Sequence, residues 1–437
     1  RYGTLGGNIG PGMVVAGGLD READTTLPGG MAGIVAEFME RLKSLRVGEE
    51  TFNPEEASIA SYLAYEMSRE AGVEVLLQAS ASDPIVEDGV LRGLFVETVS
   101  GRVAVKAKVT VDGTGSGAIA ERAGAGMVAY LEPWDEYAEY IRPPYLRKDD
   151  ATHYNDTGLL CAAGGIDKAA YQAFAEADAE LSEEDTAWAE KRGMLREPPR
   201  GYPRGLVAAL RRADEDGSYR PRDEVEPGVR MSTTHQFGGP DDALGVFAVI
   251  CTGAVDAGDH AQVSRIEGAM RAQAFKAVAF YRANAPGFET AYLAFCAPFL
   301  GWRGGPHIEA DHTLTPEECF SGALFDDVLY RNIHEHEHGG AASGFDVPYS
   351  ITLPKGIDGL LVCGRGAAYL RRGHDPSGMR ARPSMMVFGQ CVGTAAAVAA
   401  QDGATPRTVD IKKVQRRLVE DGINLGEEKR LKELGLG

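Results

Sequence analysis

Cysteine and positive charge are both scarce in this chain. Its 437 residues hold six cysteines and no Cys-x-x-Cys pair, which argues against a disulfide framework and a cysteine zinc site. The six read as reduced, mostly buried thiols of an intracellular protein. No Cys-x-x-x-x-Cys pair occurs either, which argues against a disulfide-reductase mechanism. Lys and Arg number 45 against 64 Asp and Glu, a formal net charge of −19. That excess repels phosphate backbones and anionic lipid, so no nucleic acid and no membrane partner is expected. There is no G-x-S-x-G elbow, no H-E-x-x-H and no G-x-x-x-x-G-K-[ST] phosphate loop. The chain opens Arg1-Tyr2-Gly3-Thr4 without a basic-then-apolar signal, and a cytoplasmic location is expected.

Long apolar runs are almost absent. The exception, residues 383–401, is uncharged, but it is rich in Ala and Gly, carries Gln390 and stands alone. Its small pair, Gly389 and Gly393, suits a buried helix pressed closely onto a sheet.

Apolar residues make up 44% of the chain and charged residues 25%, enough for a substantial core. The length fits about three domains of roughly 150 residues, or two larger ones. A glycine-dense loop, Leu5 to Gly12, precedes an amphipathic helix with Ile34, Phe38 and Leu42 on one face. Asn53 caps a helix running to Ala71, with Pro54, Glu55 and Glu56 at its start and Gly72 as its stop. Residues 73–77 read as a buried strand. Turns at Asp88-Gly89 and Ser100-Gly101 then make a three-stranded antiparallel excursion.

The texture changes near Met127. An acidic helical run spans Lys168 to Arg192, Val246 to Ile250 reads as a buried strand, and residues 261–284 form a long helix. The first texture returns after Pro348 with the strand Leu360 to Cys363, a Gly-Arg-Gly turn, the small-residue helix, and a last helix capped by Asp410. The expected architecture is an α/β fold whose Rossmann-like domain is assembled from both chain ends, residues 1–126 and 340–437. An α+β substrate or cap domain, residues 127–339, is inserted between them.

Gly113-Thr114-Gly115-Ser116-Gly117-Ala118 matches G-x-G-x-x-A between a strand and a helix. Alone it is either a dinucleotide contact or a plain strand-to-helix turn, because no parallel strand ending in an acid follows it. Asp112-Gly113-Thr114-Gly115, followed by Glu121-Arg122-Ala123-Gly124-Ala125, resembles the second flavin-domain signature of two-dinucleotide-binding-domain flavoproteins. Arg1 to Asn8 looks like the loop after that family's second strand. Residues 53–101 look like the helix, strand and meander that follow, and Gly359 to Arg365 with Arg380 to Ala400 like its C-terminal flavin segment. The chain therefore resembles the FAD-dependent oxidoreductases related to the glutathione-reductase and fumarate-reductase groups. The alignment puts the primary Gly-rich fingerprint and ribose acid before Arg1, which marks the chain as a fragment or a poor cofactor binder.

The resemblance implies FAD as cofactor and hydride transfer between flavin and a small polar organic substrate. It places Gly6, Gly7 and Asn8 near phosphates and ring, Ala81 near adenine, Thr114 and Gly115 at the second signature, and Gly364 and Arg365 near the ribityl chain. Flavin also needs positive character beside its ring to stabilise the reduced anion. Arg382 with Pro383, Ser384 and Met385 at a helix start supplies it, although surface salt bridges are the plain alternative for Arg380 and Arg382.

Arg331 to His338 is the most conspicuous polar run. His334, His336 and His338 could share one strand face and ligate a metal on a non-catalytic scaffold, or lie in a solvated loop. By resemblance His334 is instead a general acid or base, with Asn332 where the family has an acid. Arg303 in Gly301-Trp302-Arg303 and Arg371, beside Arg372 and His374, are candidates to meet substrate. Trp302 and Tyr349 read as core or lining aromatics. Self-association is left open.

Overall fold

The computed structural model describes residues 3–14, 19, 31–47, 55–128, 157–192, 194–195, 202–234, 237, 244–253, 255–302, 305–332, 344–369, 379 and 381–437. In chain order they form α1 (Gly33–Leu45), α2 (Glu55–Glu70), β1 (Ser80–Glu87), β2 (Val90–Thr98), β3 (Gly101–Lys106), β4 (Thr110–Asp112), α3 (Ala118–Arg122) and β5 (Met127–Val128). Next come β6 (Thr157–Gly164), α4 (Lys168–Glu176), α5 (Glu183–Lys191), α6 (Val207–Asp216), β7 (Arg222–Glu226), β8 (Val229–Thr233), β9 (Gly245–Gly253) and α7 (His260–Asn284). The last part holds β10 (Tyr292–Cys296), β11 (Gly301–Trp302), β12 (His307–Ile308), α8 (Pro316–Ser321), β13 (Val328–Asn332), β14 (Phe345–Pro348), β15 (Leu360–Val362), α9 (Arg382–Asp402), α10 (Ile411–Glu420) and α11 (Glu428–Glu433).

Two apolar cores organise these elements. One draws on residues 19–125 and 308–434, so the two chain extremities share it. The other is built from residues 159–300, with Met13 and Ala57 joining it. The extremities meet through main-chain bonds. β15 pairs in parallel with β4, Leu360 opposite Thr110 and Val362 opposite Asp112. Helix α9 lies against β4, β15, β13, α1 and α10, burying Val387, Phe388, Cys391, Val392, Ala395 and Ala399. By length and composition α9 could cross a membrane, but all of these side chains except Ala399 belong to the shared core. Gln390 also accepts the Ile34 N–H at 2.9 Å and so ties α9 to the start of α1. The fold is the expected Rossmann-like α/β class with an inserted α+β unit. The inserted sheet has the order β10-β6-β9-β8-β7, with β11 beside β6 and α7 packed on it.

Local chemistry explains most boundaries. Glu55 and Glu56 sit in the first turn of α2, and Ile59 and Leu63 are buried on one face. Asn53 and Pro54 lie outside the described residues. Asp88 and Gly89 both take positive φ, 50° and 75°, as a tight two-residue hairpin turn demands. Asp259 caps α7 by accepting from Ala261 N and Gln262 N, and Asp410 caps α10 by accepting from Lys412 N.

Four local expectations fail. Residues 73–77 form no strand, and Val73 and Leu76 are 56% and 49% exposed. Among the described residues no strand lies alongside them, and a strand exists only with a partner for its N–H and C=O groups. The run 168–192 is two helices, because the Ser182 hydroxyl accepts the Asp185 N–H at 3.1 Å and starts a new one. In α1 the buried stripe is Val35, Phe38, Met39 and Leu42, while Ile34 is 46% exposed. A Cβ on Gly389 or Gly393 would meet no described atom within 4 Å, so these glycines do not serve close packing.

Candidate functional site

The carboxyl ends of β4 and β15 lie side by side, and each runs into a glycine turn. In parallel sheets this is where ligands gather, beyond the strand ends. The first turn is organised by Asp112, whose carboxylate is 1% exposed. One oxygen accepts from Thr114 N at 2.9 Å and Thr114 Oγ1 at 2.6 Å. The other accepts from Ile119 N at 2.8 Å and Ala120 N at 3.1 Å, at the start of α3. One buried charge thus folds the glycine loop back and caps the helix behind it. Gly115 takes φ +81°, conformational space that a side chain resists.

The second turn, residues 364–366, presses onto the first. A Cβ on Gly366 would lie 2.5 Å from Gly117 N, and one on Gly115 would lie 3.2 Å from Arg365 Nη2. Cys363 N donates to Asp112 O at 2.9 Å, so the two strand ends are locked together. Burial pushes the Cys363 thiol up to about 12, which leaves it protonated and unreactive beside the turn. Gly113 and Gly364 face open space, with no described atom within 4 Å of an added Cβ.

The third component is the loop 3–14. Gly6 and Gly7 take φ +101° and +51°, and Gly12 N donates to Gly7 O at 3.0 Å to close the bend. Arg382 fastens this loop to the late helix, its Nη1 donating to Val14 O at 2.5 Å. Asn8 Oδ1 would sit 3.9 Å from a Cβ on Gly301, and Arg365 Nη1 the same distance from one on Gly305. The loop thus reaches the start of α9 through Arg382 and Gly301 through Asn8, while the two glycine turns meet each other and Gly305 through Arg365.

Helix α9 begins at Arg382 and Pro383 with no side-chain cap from Ala381. Its positive end is left without a compensating acceptor from that residue. Ser384 is turned inward, donating its hydroxyl to Asn332 Oδ1 at 2.8 Å, both residues being buried.

Of the expected cofactor residues, Gly6, Gly7 and Asn8 lie in the loop 3–14, Thr114 and Gly115 in the first glycine turn, Gly364 and Arg365 in the second, and Arg382, Pro383, Ser384 and Met385 at the start of α9. Ala81 sits on β1 opposite Val96, its carbonyl accepting from Arg122 Nη1 at 3.0 Å. Arg303, His334, His336, His338, Arg371, Arg372, His374 and Arg380 lie outside the described residues. Among the described residues no three His, Cys, Asp or Glu side chains cluster as a metal site would require. The sequence reading missed Val14, Gly366 and the capping role of Asp112. Only the last had a local signal, an Asp two residues before a Thr in a glycine turn.

These residues suit a flavin dinucleotide. Open glycine backbone at strand ends admits a pyrophosphate, and an arginine with an uncapped helix start suits an anionic ring. Residues 1–418 match the family described as FAD dependent oxidoreductase. No curated protein matches the chain. Similar solved structures include a geranylgeranyl bacteriochlorophyll reductase-like protein from Thermoplasma acidophilum, at 13% identity and TM-score 0.35, with 90% of this chain and 65% of that one covered. The flavin-dependent brominase Bmp2 aligns at 11% identity and TM-score 0.32, covering 84% of this chain and 59% of that one. The myxobacterial chondrochloren halogenase CndH aligns at 10% identity and TM-score 0.35, covering 83% of this chain and 55% of that one. The chain spans less than two thirds of the length of each.

Proposed function

Because the chain belongs to the family of FAD-dependent oxidoreductases, whose cofactor is FAD, we propose that it is a flavoenzyme that oxidises or reduces a small polar organic substrate. FAD supplies, when bound, a two-electron centre for hydride transfer. The chain's own residues do the rest. The turns at 113–117 and 364–366, with Gly6, Gly7 and Asn8, hold the dinucleotide by backbone approach. Arg382 and the start of α9 at Pro383, Ser384 and Met385 supply the positive field that favours a reduced anionic ring. The Ser384–Asn332 bond fixes the first turn of that helix. We assign proton transfer to His334, two residues after Asn332 in the sequence, and the orientation of an anionic or polyhydroxylated substrate to Arg303 and Arg371. Residues 127–339 act as the substrate-covering domain, and the reaction is assigned to the cytoplasm.

The observation that carries this reading is the Arg382–Val14 hydrogen bond. It joins the first glycine loop to the late helix beside the paired β4 and β15 ends. The test is to purify the full-length protein, measure its visible flavin spectrum, and titrate FAD into apoprotein and into R382A. Flavin bound by wild type and bound more weakly by the variant supports the proposal. A colourless full-length protein that ignores added FAD refutes it.

A further inference from the structure

The inserted sheet holds two thiols face to face. Cys161 on β6 and Cys296 on β10 are directly opposed in the antiparallel register, their sulfurs 3.0 Å apart. The neighbouring Ala297 N donates to Leu160 O at 2.8 Å, which makes 160 and 297 the hydrogen-bonded pair. Cys161 and Cys296 therefore occupy a non-hydrogen-bonded position, where Cα atoms lie about 4.5 Å apart and side chains are closest. That separation falls within the roughly 4.4–6.8 Å that a disulfide accepts, and bonding needs the sulfurs to close by only about 1 Å.

We propose that Cys161 and Cys296 form a reversible dithiol–disulfide pair, a redox modification site in the inserted sheet that responds to hydroperoxide. Among the described residues β10 is an edge strand and Cys296 is only partly buried, whereas Cys161 is fully buried beside it. A small oxidant reaches Cys296 first. Arg271 lies alongside, its Nη2 donating to Ala297 O at 3.0 Å. The hydrogen bond from Cys161, then the Arg271 charge, hold the Cys296 thiol below its usual range, while that same contact and burial push Cys161 up. Cys296 is thus the attacking thiolate and Cys161 the resolving thiol.

The steps balance. The Cys296 thiolate attacks hydrogen peroxide, an S–O bond forms, the O–O bond breaks, and the leaving hydroxide takes up the proton that the Cys296 thiol released on ionising and departs as water. Cys161 then attacks the sulfenic sulfur, an S–S bond forms, the S–O bond breaks, and the second water departs with the Cys161 proton. Two electrons pass from the two thiols to the peroxide, and a small dithiol reverses the change. The bridge would join strands whose cysteines stand 135 residues apart in sequence.

The test treats the native full-length chain with hydrogen peroxide, alkylates it after denaturation, and digests it without reductant for mass spectrometry. The expected result is a peptide linking Cys161 to Cys296 that separates on dithiothreitol treatment. Cys251, whose thiol burial pushes up to about 12, should stay alkylated throughout. In C161S the sulfenic acid on Cys296 should persist and be trapped by dimedone; in C296S Cys161 should remain unoxidised. Wild-type protein in which Cys296 proceeds to sulfinic acid without the link, or in which neither thiol reacts, would overturn the proposal whatever the variants do.

Discussion

Removing the Asp112 carboxylate is the sharpest perturbation of the candidate site. Four hydrogen bonds converge on it, two from Thr114 and two from the buried amides of Ile119 and Ala120. Each bond to a charged acceptor is worth about 1.5–3 kcal/mol. Water can replace those at the part-buried Thr114, so the two buried amides decide the cost. Asp112→Ala should therefore lose about 3–6 kcal/mol of stability in the core shared by the chain ends. Asp112→Asn keeps one accepting oxygen and should lose about 2 kcal/mol, and Thr114→Val about 1 kcal/mol. The double variant D112A/T114V should cost less than the sum, because both changes remove the same contact. Urea denaturation gives the magnitudes, and amide exchange at Ile119 and Ala120 gives the location. A D112A protein within about 0.5 kcal/mol of wild type, with both amides still protected, would refute the capping argument.

Three further outcomes follow from the same geometry. Gly366→Ala forces a Cβ against Gly117 N and should part the two turns, costing about 1–3 kcal/mol and releasing bound FAD, as denaturation and flavin release would show. Arg382→Ala removes the donor to Val14 O and should weaken FAD binding about tenfold or more, with R382K recovering part of the loss in a titration. Gly393→Ala adds a methyl into open space on α9 and should raise stability by about 0.5–1 kcal/mol, measured as a higher urea midpoint.

What could be read in advance was what is local. The helices at 55–70, 260–284 and 411–420 announce themselves through period and flanking acids, and the Asp88-Gly89 hairpin through two residues alone. Residues 73–77 look like a strand in composition, but strand formation belongs to a pair, and no described partner is there. The small residues of α9 were assigned to close packing, yet Gly389 and Gly393 lie on its open side. The parallel β4–β15 pairing and the Arg382–Val14 bond join residues far apart in sequence, and no spacing rule reveals them. The resemblance to flavoproteins anticipated the meeting of the two ends. Cys161 and Cys296 carried no such hint, because only the register of β6 and β10 makes them neighbours.

The most direct measurement is hydrogen exchange across the full-length protein with and without FAD. Protection on FAD addition should concentrate in residues 3–14, 113–117, 364–366 and 381–385, the segments that the structure brings together. Bound FAD with protection confined to the β6–β9 region of the inserted sheet, and none in those four segments, would contradict the account.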